Sequence, residues 1–284
     1  MGANMVTNLL KNGHKVVAFD LNAEAVRAVT AKGATAASSV ADVAQQSDKV
    51  ITMLPTPDIV KETYRGTNGI IANSKKGSIL IDSSTVGPDA PRELAPEAQA
   101  HGLTFVDAPV TGAVPAARAG TLTFLVGGTE AECVSVRDVL LAMGKHVVHC
   151  GPTGAGQAAK ICNNMCLAIN MISTAETLGL AQRLGLSPKL MTEILNISSG
   201  RSWCSEIYNP APNVAENVPS NNDYEGGFMV DLLAKDLSLV QHSASQVKAP
   251  LPLGGQALQV YTTMSNNGMG RKDFSSVYKF LLKK

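Results

Sequence analysis

The spacing of hydrophobic positions changes near residue 150. Before that point, short apolar runs alternate with amphipathic stretches. The apolar runs are predicted strands, at 14–20, 49–53, 78–82, 104–108, 122–126 and 145–150. The amphipathic stretches are predicted helices, at 4–11, 22–32, 40–46, 57–64, 88–101 and 131–143. Strands that alternate with helices indicate an α/β fold with a doubly wound, mainly parallel sheet.

After residue 150 the pattern indicates helices alone. They are predicted at 156–184, 188–198, 228–247, 253–267 and 273–282. The chain is therefore expected to contain an α/β domain at 1–150 and an all-helical domain at 151–284. An irregular segment at 201–227, rich in Asn, Pro and Gly, interrupts the helices, and a loop of that length is usually functional.

Residues 1–20 match the second half of a βαβ dinucleotide-binding unit. Met1 and Gly2 lead into a predicted helix and then into the strand VVAFD, which ends at Asp20. The first strand of the unit and the first two glycines of its G-x-G-x-x-G turn do not occur in this sequence. We therefore expect the working protein to carry an upstream strand that ends in a G-x-G turn, and the 284-residue chain alone to bind NAD poorly or not at all.

Asp20 indicates a preference between the two nicotinamide dinucleotides. A carboxylate at the end of this strand can accept hydrogen bonds from the adenosine ribose of NAD, and it would repel the additional phosphate of NADP. A turn or cap role before Asn22 is the alternative. Leu54, Pro55 and Thr85 follow two other predicted strands, where ligands bind in doubly wound sheets, although ordinary turns also explain such residues.

The segment GPTGAGQAAKICNNM at 151–165 begins a helix that is apolar on nearly all sides. Lys160 and Asn164 are four residues apart and so share one face of this helix. A buried ammonium group is costly unless it is paired or functional. The alternative is a lysine that extends to solvent from the first turn. Burial favours the neutral amine, so Lys160 is a candidate acid–base group, with Asn164 as its hydrogen-bonding partner.

The pattern GxGxxxKxxNN in this segment resembles the catalytic signature of the 3-hydroxyacid dehydrogenases, in particular the 3-hydroxyisobutyrate dehydrogenases. Similar motifs occur along essentially the whole chain. They are ITMLP at 51–55, IDSST at 81–85, DAPVTGAVPAARAGTLTFLVGG at 107–128, SSGRSW at 198–203, YNPAPNVAENVPS at 208–220 and AKDLSL at 234–239.

The resemblance implies roles for particular residues. It makes Lys160 and Asn164 catalytic. It implies cofactor contacts for Gly2, which matches the end of the family's GxGxMG turn, and for Asp20, Leu54, Pro55, Thr85 and Lys235. An ordinary surface ion pair with Asp236 is the alternative for Lys235. Trp203 either caps the pocket or belongs to the core.

The resemblance also implies that Thr111, Gly112 and Ala113 bind the substrate carboxylate. The corresponding family motif is DAPVSGG, so Thr111 keeps the hydroxyl and Ala113 replaces a glycine. That replacement matters if the backbone at this position needs a positive φ, and it leaves the substrate selectivity open.

The implied reaction is the NAD-dependent oxidation of 3-hydroxyisobutyrate to methylmalonate semialdehyde, a step of valine degradation. The alternatives are another short-chain 3-hydroxyacid dehydrogenase, such as a tartronate semialdehyde reductase, and a non-catalytic dinucleotide-binding protein. The family also implies a homodimer or homotetramer assembled through the helical domain. It implies the mitochondrial matrix in a eukaryote and the cytoplasm in a bacterium.

Composition narrows the possible partners. A formal net charge of +1 gives no indication of nucleic acid binding, and no apolar run is long enough for a membrane span. Five scattered cysteines are more typical of a reducing compartment than of a disulfide framework. Cys162 and Cys166 share a helix face, and we expect core packing there rather than metal binding; no metal site is predicted.

Overall fold

The structure, a computed structural model, describes residues 1–282. Its contacts divide the chain into a first compact unit, Met1–Lys160, and a second that begins at Ile161. The first unit contains the helices α1 (Gly2–Lys11), α2 (Ala23–Thr30), α3 (Val40–Gln46), α4 (Pro57–Tyr64), α5 (Ile70–Asn73), α6 (Asp89–Ala100), α7 (Ala113–Ala119) and α8 (Glu130–Leu141). Its strands are β1 (Val17–Ala18), β2 (Thr35–Ala36), β3 (Lys49–Thr52), β4 (Ile79–Asp82), β5 (Thr104–Asp107), β6 (Val110–Thr111), β7 (Leu122–Gly127) and β8 (Gly144–Gly151).

The main sheet has the order β3-β4-β5-β7-β6, and β8 also pairs with β7. Strands β3, β4 and β5 are parallel, as are β7 and β8, which confirms the predicted mainly parallel sheet. β7 runs antiparallel to β5 and β6, so the sheet is mixed. Strands β1 and β2 form a separate parallel pair.

The central strands β4 and β5 of this sheet are buried on both faces, which explains why they are continuous apolar runs. Leu80 packs in one cluster with Phe105 and with Tyr64 of α4. Its neighbour Ile81 packs in a different cluster with Val106. Successive side chains of a strand point to opposite faces, so helices cover the sheet on both sides.

Several short elements differ from the prediction. The strand expected at 14–20 is reduced to Val17–Ala18, because only these residues pair with β2. Strand β6 and helix α7 lie between the strands predicted at 104–108 and 122–126, where the sequence pattern indicated no element. The prediction missed them because VTGAVPAARAG has no apolar period long enough to indicate either element.

Helix α9 (Ala155–Arg183) begins in the first unit and continues into the second. The other helices of the second unit are α10 (Pro188–Ile197), α11 (Trp203–Glu206), α12 (Val230–Gln246), α13 (Pro252–Met264) and α14 (Val277–Leu281). Their core includes Met171 and Leu178 of α9, with Leu237 of α12 and Tyr261 of α13. The predicted helical second domain is therefore observed, with slightly shorter helices.

The irregular segment at 201–227 is anchored to the helical core by Asp273. The hydroxyl of Tyr208 donates to Asp273 Oδ2 at 3.0 Å, and the N–H of Phe228 donates to the same oxygen at 2.7 Å. Trp203 stacks on Tyr208 with ring centroids 4.9 Å apart and remains 48% exposed. It is thus not a core residue.

The expectation of core packing for Cys162 and Cys166 is wrong. Both residues are exposed on α9. The apolar composition of the helix suggested burial on every side, but this face carries no covering element within the described part of the second unit.

Candidate active site

The carboxyl ends of β3 and β4 bring two of the predicted cofactor positions together. The N–H of Leu54, just past β3, donates to Ser84 Oγ at 2.8 Å, and Ser84 directly precedes Thr85. Buried Asp82, the last residue of β4, accepts hydrogen bonds at Oδ1 from Thr52 Oγ1 at 2.8 Å and from the N–H of Ser84 at 3.1 Å. Leu54 and Thr85 therefore lie on adjacent strand ends, and Pro55 follows as an exposed residue.

Gly2 lies at the same edge of the sheet. It is the first residue of α1, and a Cβ atom added to it would lie 3.9 Å from Cβ of Met53, next to Leu54. A helix N-terminus carries partial positive charge and unpaired N–H groups, which suit a phosphate. This start of α1 thus fits the phosphates of a dinucleotide.

Asp20 is exposed just after β1. Its Oδ1 accepts a hydrogen bond from the N–H of Asn22 at 2.8 Å, and the Asn22 side chain in turn caps α2. The turn role that we considered at this position is therefore present. The second carboxylate oxygen keeps the ribose interaction possible, and that role stays a prediction.

The predicted carboxylate-binding residues lie between β6 and α7. Gly112 has φ +124°, and Ala113 has φ +56°. Ala113 thus adopts the left-handed conformation that the glycine of the family motif would adopt more easily, at a cost of about 1–2 kcal/mol. Consecutive N–H groups in such conformations form anion-binding concavities, which suits a carboxylate.

Asp107 is a buried residue that sequence reasoning missed as part of the site. Its Oδ1 accepts from the N–H of Gly154 at 2.7 Å, and its Oδ2 accepts from the N–H of Gln157 at 3.0 Å. These bonds attach the start of α9 to the end of β5. Burial raises the pKa of Asp107 to about 6, while the two N–H donors act in the opposite direction. The sequence indicates this role only through the position of Asp107 at the end of a predicted strand, in the same motif as Thr111 and Gly112.

Lys160 lies on α9 one turn beyond Gln157 and is 9% exposed. The alternative of a lysine that extends freely into solvent is therefore wrong. A side chain this well buried has to be held by specific interactions.

In the second unit, α9 and α12 are joined by a buried polar pair. Asn164 Nδ2 donates to Asp236 Oδ2 at 2.6 Å, and Asp236 is 3% exposed. Lys235 Nζ lies 2.8 Å from Asp236 Oδ1. The ion pair considered as the alternative for Lys235 is therefore present, but its carboxylate is buried, so it is not an ordinary surface pair. Asp236 is a further site residue that sequence reasoning did not select, although it stands beside Lys235 in AKDLSL.

Within residues 1–282, no group of three or more His, Cys, Asp or Glu side chains is arranged to hold a metal ion. Over the same residues, no helix combines the length and the apolar character needed to cross a bilayer.

A doubly wound sheet with a helix N-terminus at its carboxyl edge, followed by a helix that carries a buried lysine, defines a dinucleotide-dependent oxidoreductase. Residues 1–151 match the family model described as the NAD binding domain of 6-phosphogluconate dehydrogenase. Residues 154–281 match the model described as NAD-binding of NADP-dependent 3-hydroxyisobutyrate dehydrogenase.

Among the dinucleotide-dependent oxidoreductases, the chain is similar to dehydrogenases that are named for 3-hydroxyisobutyrate or L-serine. The chain is 52% identical over 281 residues to the mitochondrial 3-hydroxyisobutyrate dehydrogenase of Bos taurus, covering 99% of this chain and 84% of that protein. It is 44% identical to the NAD-dependent L-serine dehydrogenase of Pseudomonas aeruginosa, covering 98% of this chain and 94% of that protein. A solved structure of Mycobacterium tuberculosis 3-hydroxyisobutyrate dehydrogenase with L-serine matches with a TM-score of 0.94 and 38% identity, covering 100% of this chain and 96% of that one.

The chain belongs to the 3-hydroxyisobutyrate dehydrogenase family. It is an NAD-dependent oxidoreductase, so the non-catalytic alternative is wrong.

Proposed function

We propose that this protein oxidises 3-hydroxyisobutyrate to methylmalonate semialdehyde with NAD, as a step of valine degradation. The observation that carries the proposal is the burial of Lys160, 9% exposed, on the helix that also presents Asn164. The names of the relatives support the choice of substrate.

In the proposed reaction the neutral amine of Lys160 accepts the proton of the substrate hydroxyl and becomes an ammonium group. The hydrogen on the same carbon leaves with its electron pair, and bound NAD supplies the acceptor for this hydride. The alcohol becomes an aldehyde, and the proton and hydride together balance the reaction. Asn164, fixed by its bond to Asp236, positions the lysine and the substrate.

The carboxylate of the substrate is proposed to bind the Thr111 hydroxyl and the N–H groups of Gly112 and Ala113. The positive φ angles at the latter two residues support this assignment. The negative charge of the substrate would then lie at a fixed distance from its reacting hydroxyl, which sets the length of acid that fits.

The cofactor is proposed to contact the edge formed by the strand ends. Gly2 would meet the phosphates at the N-terminus of α1. Asp20 would accept hydrogen bonds from the ribose. The remaining contacts are proposed for Leu54, Pro55, Thr85 and Lys235. The bond from Leu54 to Ser84 supports this assignment, because it holds two of these positions together.

L-serine is a second candidate substrate. The Pseudomonas relative is named an L-serine dehydrogenase, and the mycobacterial structure is named with L-serine. Both molecules are 3-hydroxy acids, but serine carries an ammonium group at carbon 2 where 3-hydroxyisobutyrate carries a methyl group. A site that accepts a methyl group would pay to desolvate an ammonium group, unless an acidic partner faces it.

The test is NADH formation, followed by absorbance, from 3-hydroxyisobutyrate, L-serine and glycerate under identical conditions. We expect kcat/KM for 3-hydroxyisobutyrate to exceed the others by about tenfold to 200-fold, which is what one apolar group is worth in a pocket. A kcat/KM for L-serine or glycerate that equals or exceeds this value would overturn the assignment of the substrate.

A homodimer or homotetramer is proposed from the second unit. Leu190, Ile194 and Ile197 form one exposed apolar stripe along α10, and Leu180 and Leu184 are exposed at the end of α9. Apolar groups at this spacing commonly mark an interface. Light scattering at micromolar concentration should give a mass of at least twice 29.6 kDa, and a monomer would contradict the proposal.

The place of action is proposed from the relatives alone. The animal relatives are named mitochondrial, which supports the mitochondrial matrix for a protein of eukaryotic origin and the cytoplasm for one of bacterial origin.

A further inference from the structure

Gln157 is a fully buried side chain whose amide makes three hydrogen bonds to one loop. Its Oε1 accepts from the N–H of Val86 at 2.9 Å and from the N–H of Gly87 at 3.2 Å. Its Nε2 donates to the carbonyl of Ser84 at 2.8 Å. The side chain is 0% exposed and lies in the first unit, as do its partners.

These partners bracket Thr85. The carbonyl that precedes Thr85 and the two N–H groups that follow it are all bonded to one amide, so the loop 84–87 has a single defined backbone conformation. Buried backbone groups of this kind cost about 1–3 kcal/mol each when they lose their partner. The loop therefore depends on Gln157 for its conformation.

The loop is also connected to the other cofactor position. Ser84 Oγ accepts from the N–H of Leu54 at 2.8 Å. Gln157 thus reaches the ends of both β3 and β4 through hydrogen bonds. On its own helix, it lies one turn before Lys160.

The start of α9 is itself held without freedom to slide. The N–H groups of Gly154 and Gln157 donate to Asp107. A Cβ added at Gly156 would overlap the carbonyl oxygen of Leu125 and come within 2.8 Å of Asp107 Oδ2. Because α9 packs against β7 at this glycine, the backbone of Gln157 is held in place. The Gln157 side chain in turn holds the loop 84–87 through its hydrogen bonds.

We propose that Gln157 is a positioning residue that fixes the cofactor-contact loop 84–87 relative to Lys160. It touches neither substrate nor cofactor, and it acts through the loop. The inference rests on the proposed function, since it uses Lys160 as the acid–base group and Thr85 as a cofactor contact. Hydride transfer needs the reacting atoms aligned and about 3–3.5 Å apart, so a displaced loop slows the chemical step more than it weakens binding.

The first variant is Gln157→Met, which keeps the volume and removes every hydrogen bond. We expect kcat to fall by roughly 10-fold to 100-fold. The deuterium isotope effect on kcat, measured with substrate labelled at the oxidised carbon, should increase because hydride transfer becomes rate-limiting. The Kd of NADH, measured by calorimetry, should rise as well, by between about twofold and tenfold.

The matched control is Asn209→Leu. Asn209 is also a buried amide, with Nδ2 donating to Thr192 Oγ1 and to the carbonyl of Ser205, each at 3.0 Å, and Oδ1 accepting from the N–H of Ala211 at 3.0 Å. It lies in the second unit and holds no cofactor-contact loop. We expect a lower Tm with kcat and isotope effect unchanged.

The second variant is Gln157→Glu. A neutral carboxyl group has a carbonyl oxygen that can accept and one hydrogen that can be donated to the Ser84 carbonyl, whereas the carboxylate has no donor. Full burial of the side chain favours the neutral form. The ratio of kcat for Gln157→Glu to kcat for wild type should increase as pH falls, because more of the variant then carries the neutral carboxyl group. The same ratio for Gln157→Met should stay constant.

If Gln157→Met lowers Tm but leaves kcat, the isotope effect and the NADH affinity unchanged, Gln157 is only structural and the proposal is overturned. Failure of the proposed function would give a different result, because the wild-type enzyme would then not oxidise 3-hydroxyisobutyrate. In that case the kinetic comparison is made with whichever 3-hydroxy acid the wild type oxidises. The NADH affinity needs no substrate, so it decides independently.

Discussion

Asn164 of α9 donates a hydrogen bond from Nδ2 to Oδ2 of Asp236 on α12, at 2.6 Å. The bond joins residues 72 positions apart in the sequence, and both side chains are buried. Asp236 also carries the ion pair to Lys235. One carboxylate thus fixes the amide that is proposed to position substrate and the lysine that is proposed to contact the cofactor.

Asp236→Asn should therefore reduce activity. The variant removes the charge that orients both partners, and a hydrogen bond to a charged group is worth about 1.5–3 kcal/mol. We expect kcat/KM to fall by roughly 10-fold to 100-fold. The control is Asp231→Asn on the exposed face of the same helix, which should retain wild-type kinetics. Equal kinetics for Asp236→Asn and the control would show that the pair has no role in the reaction.

Asp107 should make the stability depend on pH. Its pKa is about 6 in the folded protein against an ordinary 3.8, so the folded protein binds this proton more tightly than the unfolded chain. The contribution of Asp107 to the free energy of unfolding therefore falls as pH rises from about 4 to 6, by on the order of 3 kcal/mol.

The measurement is urea unfolding of wild type and Asp107→Asn across this pH range. The difference in free energy of unfolding, wild type minus variant, should decline as pH rises. Asn209→Leu, which removes a buried amide that does not titrate, is the control and should give a difference that stays constant with pH. A constant or rising difference for Asp107→Asn would mean that the N–H donors of α9 keep the carboxylate ionised.

The sequence predicted the features that depend on neighbouring residues, and it did not predict those that depend on contacts between residues far apart in the chain. Leu80 and Ile81 belong to a local apolar run, and such a run predicted its strand and its burial. Asp107 and Asp236 acquire their roles from partners far along the chain, Gly154 and Asn164, and no local period indicates such a pairing. The family pattern identified Lys160, but its burial and the use of the Gln157 amide required the three-dimensional structure.

The sequence indicated that the replacement of a glycine by Ala113 matters if the backbone there has a positive φ, and the structure shows this φ. The residue has φ +56°, so Ala113→Gly should raise the free energy of unfolding by about 1 kcal/mol. Ala119→Gly, at the other end of α7, should lower it by about 0.5–1 kcal/mol. Urea unfolding measures both.

The same variant tests whether the backbone at 113 sets selectivity. We expect the ratio of kcat/KM for 3-hydroxyisobutyrate to that for L-serine to change in Ala113→Gly and to stay constant in Ala119→Gly. An unchanged ratio in Ala113→Gly would show that the backbone strain at this position has no role in substrate selectivity.

Asp20 should set the preference for NAD. In Asp20→Ser, the charge that accepts from the ribose and repels the phosphate of NADP is removed. We expect the KM for NAD to rise by about 10-fold and the ratio of kcat/KM for NAD to that for NADP to fall. Asp48→Ser, at another exposed aspartate, is the control. A wild-type enzyme that used NADP as well as NAD would contradict the assignment.

The most direct test of the account is turnover by Lys160→Ala with 3-hydroxyisobutyrate and NAD, measured together with NADH binding. We expect kcat to fall by about 10²–10⁴-fold with NADH affinity retained, since the residue transfers a proton. Lys189→Ala, at an exposed lysine of α10, should keep full activity. Added alkylamines should partly restore turnover to Lys160→Ala alone. Near-normal turnover in a folded Lys160→Ala protein would contradict the account.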